Sequence, residues 1–361
     1  MPSPAHDAKV LRQTTSATVR AAPFERPSLE RPSSPSRPSR QALAWLFALC
    51  LLLALSLASL MAGAGDMHWS VLWSRSEDDL ASQVLVYSRV PRTLALVLAG
   101  ASMAVCGLLM QMLARNHFVE PSTVGTVESA SLGMLAAFVW VPHWPVMAKM
   151  GISAVAALLG TALFLAVLSR IRLRSSWMVP LVGLVLAGVL EAAASFLALQ
   201  FDMMQALKSW SNGDFSLVVQ GRYELLWLSL GVTALACLAA DRFTVAGLGE
   251  SFATNLGLNY RRLVWQGLVV VAVATSAVVV TAGSLPFVGL IVPNVVRLVL
   301  GDNVRRSVLW VALIGAGLTV LCDLVGRLLI APYEIPVGSV LGVLGSALFL
   351  ALILRRRKGR A

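Results

Sequence analysis

The sequence predicts an all-α integral membrane protein with about ten transmembrane helices. Of its 361 residues, 57% are hydrophobic and only 13% are charged, and its mean hydropathy is +0.77. Apolar runs of about twenty residues, the length that crosses a bilayer as a helix, recur along most of the chain. The net charge of +11 could suggest nucleic acid, but a soluble nucleic-acid-binding protein would not carry such runs.

Ten apolar runs are the predicted spans. An even number of spans places both termini on one side of the membrane. If both termini are cytoplasmic, the inner loops and the C-terminal end carry fourteen basic residues and the outer loops carry seven, with Arg297 and the N-terminal tail left out of the count. Since cytoplasmic loops are usually the richer in Lys and Arg, the positive-inside rule predicts cytoplasmic termini. The runs cover residues 41–63, 92–113, 122–141, 146–169, 177–199, 223–240, 264–282, 286–300, 307–328 and 337–354.

The N-terminal tail, residues 1–40, differs in composition from the membrane domain, residues 41–361. It repeats Pro, Ser and Arg ("ERPSLERPSSPSRPSR") and holds almost no large apolar side chains, which predicts disorder. A regulatory arm and a simple solvated extension are both open interpretations of the tail. The first apolar run begins too late and is too long for a cleavable signal peptide.

Two loops carry sequence features that a simple connection between helices does not require. In the inner loop, residues 241–262, Gly247, Gly249 and Gly257 bracket the helix-competent stretch 250–255, which predicts a short helix under the membrane. In the outer loop, residues 207–226, the sequence "NGD" is a strong turn signal. We expect this loop to be ordered and to lie at the outer surface of the membrane.

The span at residues 286–300 is short and carries two prolines. Pro293 cannot donate a backbone hydrogen bond and is expected to free a carbonyl near Val288 and Gly289. Asn294 and Arg297, three residues apart, share one helix face. Such a helix is tolerated where protein shelters it from lipid.

Ionisable side chains inside spans suggest function. Glu191 is either a proton-relay carboxylate or a carboxyl group bonded to a neighbouring helix. Asp323 and Arg327, four residues apart, are expected to pair on one helix face. The chain has no P-loop, no metal-ligand pattern and no catalytic cluster, so the sequence predicts a conduit powered from elsewhere, with an ion-coupled secondary transporter as the rival.

Four motifs resemble one family, in its order and at its spacing. They are "SRVPRTLALVLAGASMAVCGLLMQMLARNHFVEPSTVGT", "AGLGESFATNLGLNYRR", "LPFVGLIVPNVVRLVLGDNVRR" and "CDLVGRLLIAPYEIPVGSVLGVLGS". The chain is similar to the permease subunits of bacterial ABC importers for ferric siderophores and vitamin B12, most of all to the catecholate-type petrobactin and anguibactin permeases. Asn294 stands where many members have His.

The resemblance implies the type II ABC importer fold, with no enzyme activity, metal or cofactor in this chain. ATP and Mg²⁺ are expected on two partner ATPase subunits. A second permease subunit, identical or related, and a periplasmic or lipid-anchored siderophore-binding protein complete the assembly in the bacterial cytoplasmic membrane. A permease for another large chelate, vitamin B12 or haem, is the alternative within the family.

The resemblance also assigns roles to residues. Three arginines are expected to bind carboxylates of the binding protein: Arg89, Arg92 and Arg327. In this role, Arg327 would point toward the binding protein instead of pairing with Asp323. Translocation-pathway candidates and ATPase-coupling candidates complete the assignment. The pathway candidates are Met110, Gln111, Glu191 and Asn294, and the coupling candidates are Gly247, Gly249, Glu250, Asn255, Leu256 and Gly257.

Overall fold

The computed structural model describes residues 38–62, 80–171, 178–221, 223–301, 304–331 and 333–358. Residues 1–37 of the predicted disordered tail lie outside this range, and the first helix begins at Pro38. From Phe47 onward the chain forms one compact unit, while the preceding unit ends at Leu46 within that helix.

The described ranges fold into α-helices and turns, with no strand among them. A π-helical turn, Leu85–Arg89, follows the helix Leu80–Val84, and a 3-10 turn, Pro121–Thr123, precedes the helix Thr126–Trp140. The α-helices are α1 (Pro38–Met61), α2 (Leu80–Val84), α3 (Val90–Leu113), α4 (Thr126–Trp140), α5 (Val146–Arg170), α6 (Met178–Gln200), α7 (Met204–Asn212), α8 (Leu225–Leu238), α9 (Ala240–Leu248), α10 (Glu250–Asn255), α11 (Tyr260–Ala282), α12 (Val288–Leu300), α13 (Val304–Leu329) and α14 (Val337–Lys358).

Each of the ten predicted spans corresponds to a helix. Within the described chain, six helices are long and apolar enough to cross a membrane, or seven if α8 and α9, bent by 65°, form one span. The helices α4, α12 and most of α14 are apolar but shorter. The prediction of an all-α membrane protein with about ten spans is confirmed.

Helix α3 lies at the centre of the fold. It contacts α8, α11, α12 and α13, and nearly every residue from Thr93 to Leu113 is buried. Its sequence suits this position, because small residues such as Gly100, Ala104 and Gly107 let neighbouring helices approach it closely. The other helices pack around it.

Glycines let α3 approach its neighbours closely. A Cβ atom on Gly107 would lie 2.0 Å from the carbonyl oxygen of Gly289 in α12. A Cβ atom on Gly100 would lie 2.6 Å from the carbonyl oxygen of Gly315 in α13. Since no real Cβ atom tolerates such distances, both helix crossings require glycine, as is common where membrane helices cross.

Candidate functional site

The N-terminus of the short helix α12 is closed by a side chain from a distant segment. Glu120 precedes α4 and is 1% exposed. Its Oε1 accepts a hydrogen bond from the backbone N–H of Phe287 at 2.9 Å, and its Oε2 lies 3.2 Å from the position that a Cβ atom on Gly289 would occupy. A helix leaves its first N–H groups without intrahelical partners, so Glu120 supplies the acceptor that α12 lacks.

The carbonyl freed by Pro293 has a specific partner. Pro293 offers no N–H to the carbonyl four residues earlier, that of Gly289. Gln111 of α3 fills the gap: its Nε2 donates to the oxygen of Gly289 at 3.2 Å. This confirms the prediction of a free carbonyl near Val288 and Gly289.

Gln111 and its neighbour Met110 are enclosed by the fold. Both side chains are buried, and that of Gln111 contacts α12. Neither side chain lies at an open surface of the described chain. Their role in a translocation pathway therefore stays a prediction, and Gln111 has a structural role in addition.

Asn294 connects α12 to the segment 116–120, which links α3 to the 3-10 turn. Its Nδ2 donates to the carbonyl oxygens of His117 at 2.8 Å and Leu290 at 2.7 Å. Glu120 holds the same segment to the start of α12. Two polar side chains thus fasten this connecting segment, and the pathway role of Asn294 stays a prediction.

Glu191 shares a cavity with a second carboxylate that sequence reasoning did not assign to it. The cavity has a volume of about 170 Å³ and lies between α4, α6 and α7. Glu128 of α4 lies in its wall together with Glu191 of α6, and the hydroxyl-bearing residues Ser131, Ser211 and Ser284 also line it. Because the two glutamates are far apart in sequence, no local spacing could have indicated the pair.

Arg92 and Arg327 share one carboxylate. Nη2 of Arg92 lies 2.7 Å from Oδ1 of Asp323, and Nη1 of Arg92 lies 2.7 Å from Oε2 of Glu334. Arg327 pairs with the other oxygen of Asp323. The pair of Asp323 and Arg327 expected from their spacing is confirmed, and Asp323 itself is 1% exposed.

Arg89 and Arg327 close the C-terminal turn of α1. Nη1 of Arg89 donates to the carbonyl oxygens of Leu60 and Met61 at 3.0 and 3.2 Å. Nη1 of Arg327 donates to the carbonyl oxygen of Ser59 at 3.0 Å. The last carbonyls of a helix have no intrahelical partners and carry partial negative charge, so guanidinium groups stabilise them. The docking role of these arginines stays a prediction, because their observed partners lie within this chain.

The predicted short helix of the 241–262 loop is present as α10. Gly249 and Gly257 bracket it with φ angles of +121° and +76°, which favour glycine. The apolar side chains of Leu248, Phe252 and Leu256 are exposed around it. Gly247 instead lies within α9, a helix that the sequence did not indicate. The structure thus confirms the helix and leaves its coupling role a prediction.

The chain matches the FecCD transport family over residues 51–355. It is a member of that family. The match begins within α1 and ends within α14, and so includes Glu120, Asn294 and α10. The residues that make the buried polar contacts described above therefore lie within the part of the chain that matches the family.

Three curated relatives are similar to this FecCD-family chain over most of its length. The petrobactin import system permease protein YclN of Bacillus subtilis is 44% identical over 315 residues, covering 87% of this chain and 98% of the relative. The petrobactin permease FatD of Bacillus anthracis is 41% identical, with 88% and 92% covered. The ferric-anguibactin permease FatD of Vibrio anguillarum is 38% identical, with 83% and 95% covered.

A solved structure has the same fold. It is described as an inward-facing conformation of a metal-chelate type ABC transporter, and it matches this FecCD-family chain with a TM-score of 0.72 at 23% identity. The match covers 87% of this chain and 99% of that one. The helix arrangement described above is therefore shared with that structure.

Proposed function

We propose that this chain is the permease subunit of an ABC importer that carries a ferric siderophore across the bacterial cytoplasmic membrane. The observation that carries this proposal is the 44% identity to a petrobactin permease over 98% of that relative's length. The family match, over residues 51–355, also runs from within α1 to within α14. The iron chelate would travel as substrate, so the chain needs no metal ligands of its own.

The energy would come from ATPase subunits docked at α10. The exposed side chains of Leu248, Phe252 and Leu256 form an apolar surface beside a short helix that protrudes between α9 and α11. Apolar surface of this kind, on a loop that also carries polar residues, suits a protein partner. In this arrangement both termini and α10 lie in the cytoplasm.

The translocation pathway would run along the face that carries Glu191. This residue is exposed on α6, next to the buried residues Ala187 and Ala194, which lie four residues before it and three residues after it on the same side of the helix. A carboxylate facing lipid at the centre of a span costs about 3 kcal/mol. A water-filled pathway at the contact with a second permease subunit removes that cost, and the cavity shared by Glu128 and Glu191 would open onto it.

The binding protein would dock at the opposite end, on the surface around Arg92 and Glu334. Glu334 is the most exposed member of the ion-pair cluster, with a side chain that is 34% exposed. Arg89 and Arg327 would support this surface from beneath by fixing the end of α1. The docking role is thus proposed for the cluster, with Arg92 as its accessible cation.

The cavity shared by Glu128 and Glu191 favours a second candidate, an ion-coupled secondary transporter in which the two carboxylates pass a proton. One experiment separates the two functions. The chain is reconstituted in proteoliposomes with its ATPase and binding protein, and uptake of ⁵⁵Fe-labelled siderophore is measured with ATP or with a pH gradient.

The ABC importer predicts uptake that requires ATP and the ATPase. A variant with both Glu128→Gln and Glu191→Gln would change ATP-driven uptake by less than about tenfold, since neither carboxylate supplies the energy. Uptake on a pH gradient alone, abolished by the same double substitution, would overturn the proposal in favour of the secondary transporter.

A further inference from the structure

Arg115 has an unusual backbone conformation at the end of α3. Its φ angle is +48°, in the left-handed region that residues with a Cβ atom rarely adopt. It stands between α3 and the connecting segment 116–120. Such a conformation persists only where the surrounding contacts hold it in place, and it is found at switch regions and functional joints.

The side chain of Arg115 binds Tyr260 on one flank of α10 and lies close to Gly249 on the other. Its Nη2 donates to the hydroxyl oxygen of Tyr260, the first residue of α11, at 3.0 Å. Its Cζ lies 5.5 Å from the centroid of the same ring. On the other flank, its Nη1 lies 3.4 Å from the position that a Cβ atom on Gly249 would occupy. A planar guanidinium group can lie over a ring and donate a hydrogen bond at the same time.

The segment that follows Arg115 is fastened to two other helices. Asn294 of α12 donates to the carbonyl oxygen of His117, and Glu120 accepts from the N–H of Phe287. The ring of Phe118 packs edge-on against Phe349 of α14, with centroids 5.9 Å apart. Displacement of the segment 116–120 would therefore displace the start of α12 and the middle of α14.

We propose that Arg115 is the positioning residue that transmits movement of α10 to α12 through the segment 116–120. The inference rests on the proposed function, since it needs an ATPase that moves α10. Helix α3 packs so closely against α12 and α13 at its glycines that it would move with them as one body. The left-handed residue at its end is where the chain can turn without disturbing α3.

The test compares Arg115→Gln with Arg261→Gln in the full importer. Arg261 is an exposed arginine of α11, one residue from Tyr260, so its substitution removes the same charge nearby. In proteoliposomes, Arg115→Gln is expected to lower the siderophore imported per ATP hydrolysed by about tenfold, within the range of ordinary coupling energies. Complex assembly and the level of ATP hydrolysis are expected to persist.

Two further variants separate transmission from folding. Arg115→Lys keeps a cationic donor near Tyr260 and is expected to recover part of the import per ATP. Tyr260→Phe removes one hydrogen bond and keeps the ring, so its loss is expected to be smaller, about threefold. Unchanged import per ATP in both Arg115→Gln and Tyr260→Phe, or an equal loss in Arg261→Gln, would overturn the inference.

A second measurement needs no ATPase. If Arg115 anchors the connecting segment, Arg115→Gln raises amide hydrogen exchange in residues 116–120 and 287–291 of the purified chain by about fivefold, while Arg261→Gln does not. Unchanged exchange would sink the inference whatever the transport result. If the wild-type importer did not use ATP, the proposed function would be contradicted. The role of Arg115 would then be decided by the hydrogen-exchange result alone.

Discussion

Substitution of Glu120 is expected to loosen the first turn of α12. Its side chain is the acceptor for the N–H of Phe287, and its second carboxyl oxygen lies close to Gly289. Glu120→Ala removes that acceptor and leaves the N–H of Phe287 without its partner. Glu120→Gln keeps an oxygen at the same place and tests the acceptor separately from the size of the side chain.

The magnitude follows from the contacts that are lost. A buried donor left without its acceptor costs about 1–3 kcal/mol, a range that includes the cost of about 1 kcal/mol for the loss of a helix N-cap. We therefore expect Glu120→Ala to lower the free energy of opening of this turn by about 2 kcal/mol, which is about thirtyfold in the opening constant. Glu120→Gln is expected to cost about 1 kcal/mol, or about fivefold, because one hydrogen bond is weakened and none is removed.

The assay is amide hydrogen exchange of the purified chain, read on peptides that cover residues 287–292. Glu224 provides the matched control, since it is exposed and its Oε1 accepts from the N–H of Gly221 at 2.8 Å. Glu224→Ala is expected to leave exchange in α12 unchanged. If Glu120→Ala also left it unchanged, or if Glu120→Gln matched Glu120→Ala, the capping role would be wrong.

Three other substitutions test the packing, the ion pairs and the partner surface. Gly107→Ala forces a Cβ atom against a backbone carbonyl of α12 and should lower the free energy of unfolding by about 1–3 kcal/mol in unfolding titrations. Gly151→Ala is the control: a Cβ atom there has nothing within 4 Å, so this substitution should be neutral or stabilising. Equal effects of the two substitutions would contradict the close crossing. In the same titrations, Asp323→Asn should lower the free energy of unfolding by about 3–5 kcal/mol. Glu334 is more exposed, so Glu334→Gln should lower it by less than about 1 kcal/mol. The reverse order would contradict a buried ion-pair cluster. Phe252→Ser should abolish co-purification of the ATPase without lowering thermal stability, and retained co-purification would contradict docking at α10.

Much of the helical layout could be predicted from the sequence. Runs of apolar residues gave all ten spans, and the glycines at 249 and 257 indicated α10, because these signals are local. The free carbonyl caused by Pro293 was also predictable, since a missing N–H always affects the residue four positions earlier. Its partner, Gln111, was not, because it comes from α3.

The roles of the charged residues were harder to anticipate. Arg89 and Arg327 were expected to face outward, and the structure shows them bonded to the carbonyl groups that end α1. Glu128 and Glu191 gave no local signal of their common cavity. A charge in a span must find a partner or water, but the sequence does not state which segment supplies it.

The sequence by itself determined which segments of this protein are membrane helices, because the length and apolarity of a run decide whether it can cross a bilayer. Only the tertiary structure decided how the polar groups in those segments are satisfied. Glu120 and Phe287 are separated by 167 positions, and a hydrogen bond over that distance exists only once the helices between them have packed. The short helix α12 is therefore predictable as a helix from its own residues, while its cap and its link to α10 depend on the rest of the fold.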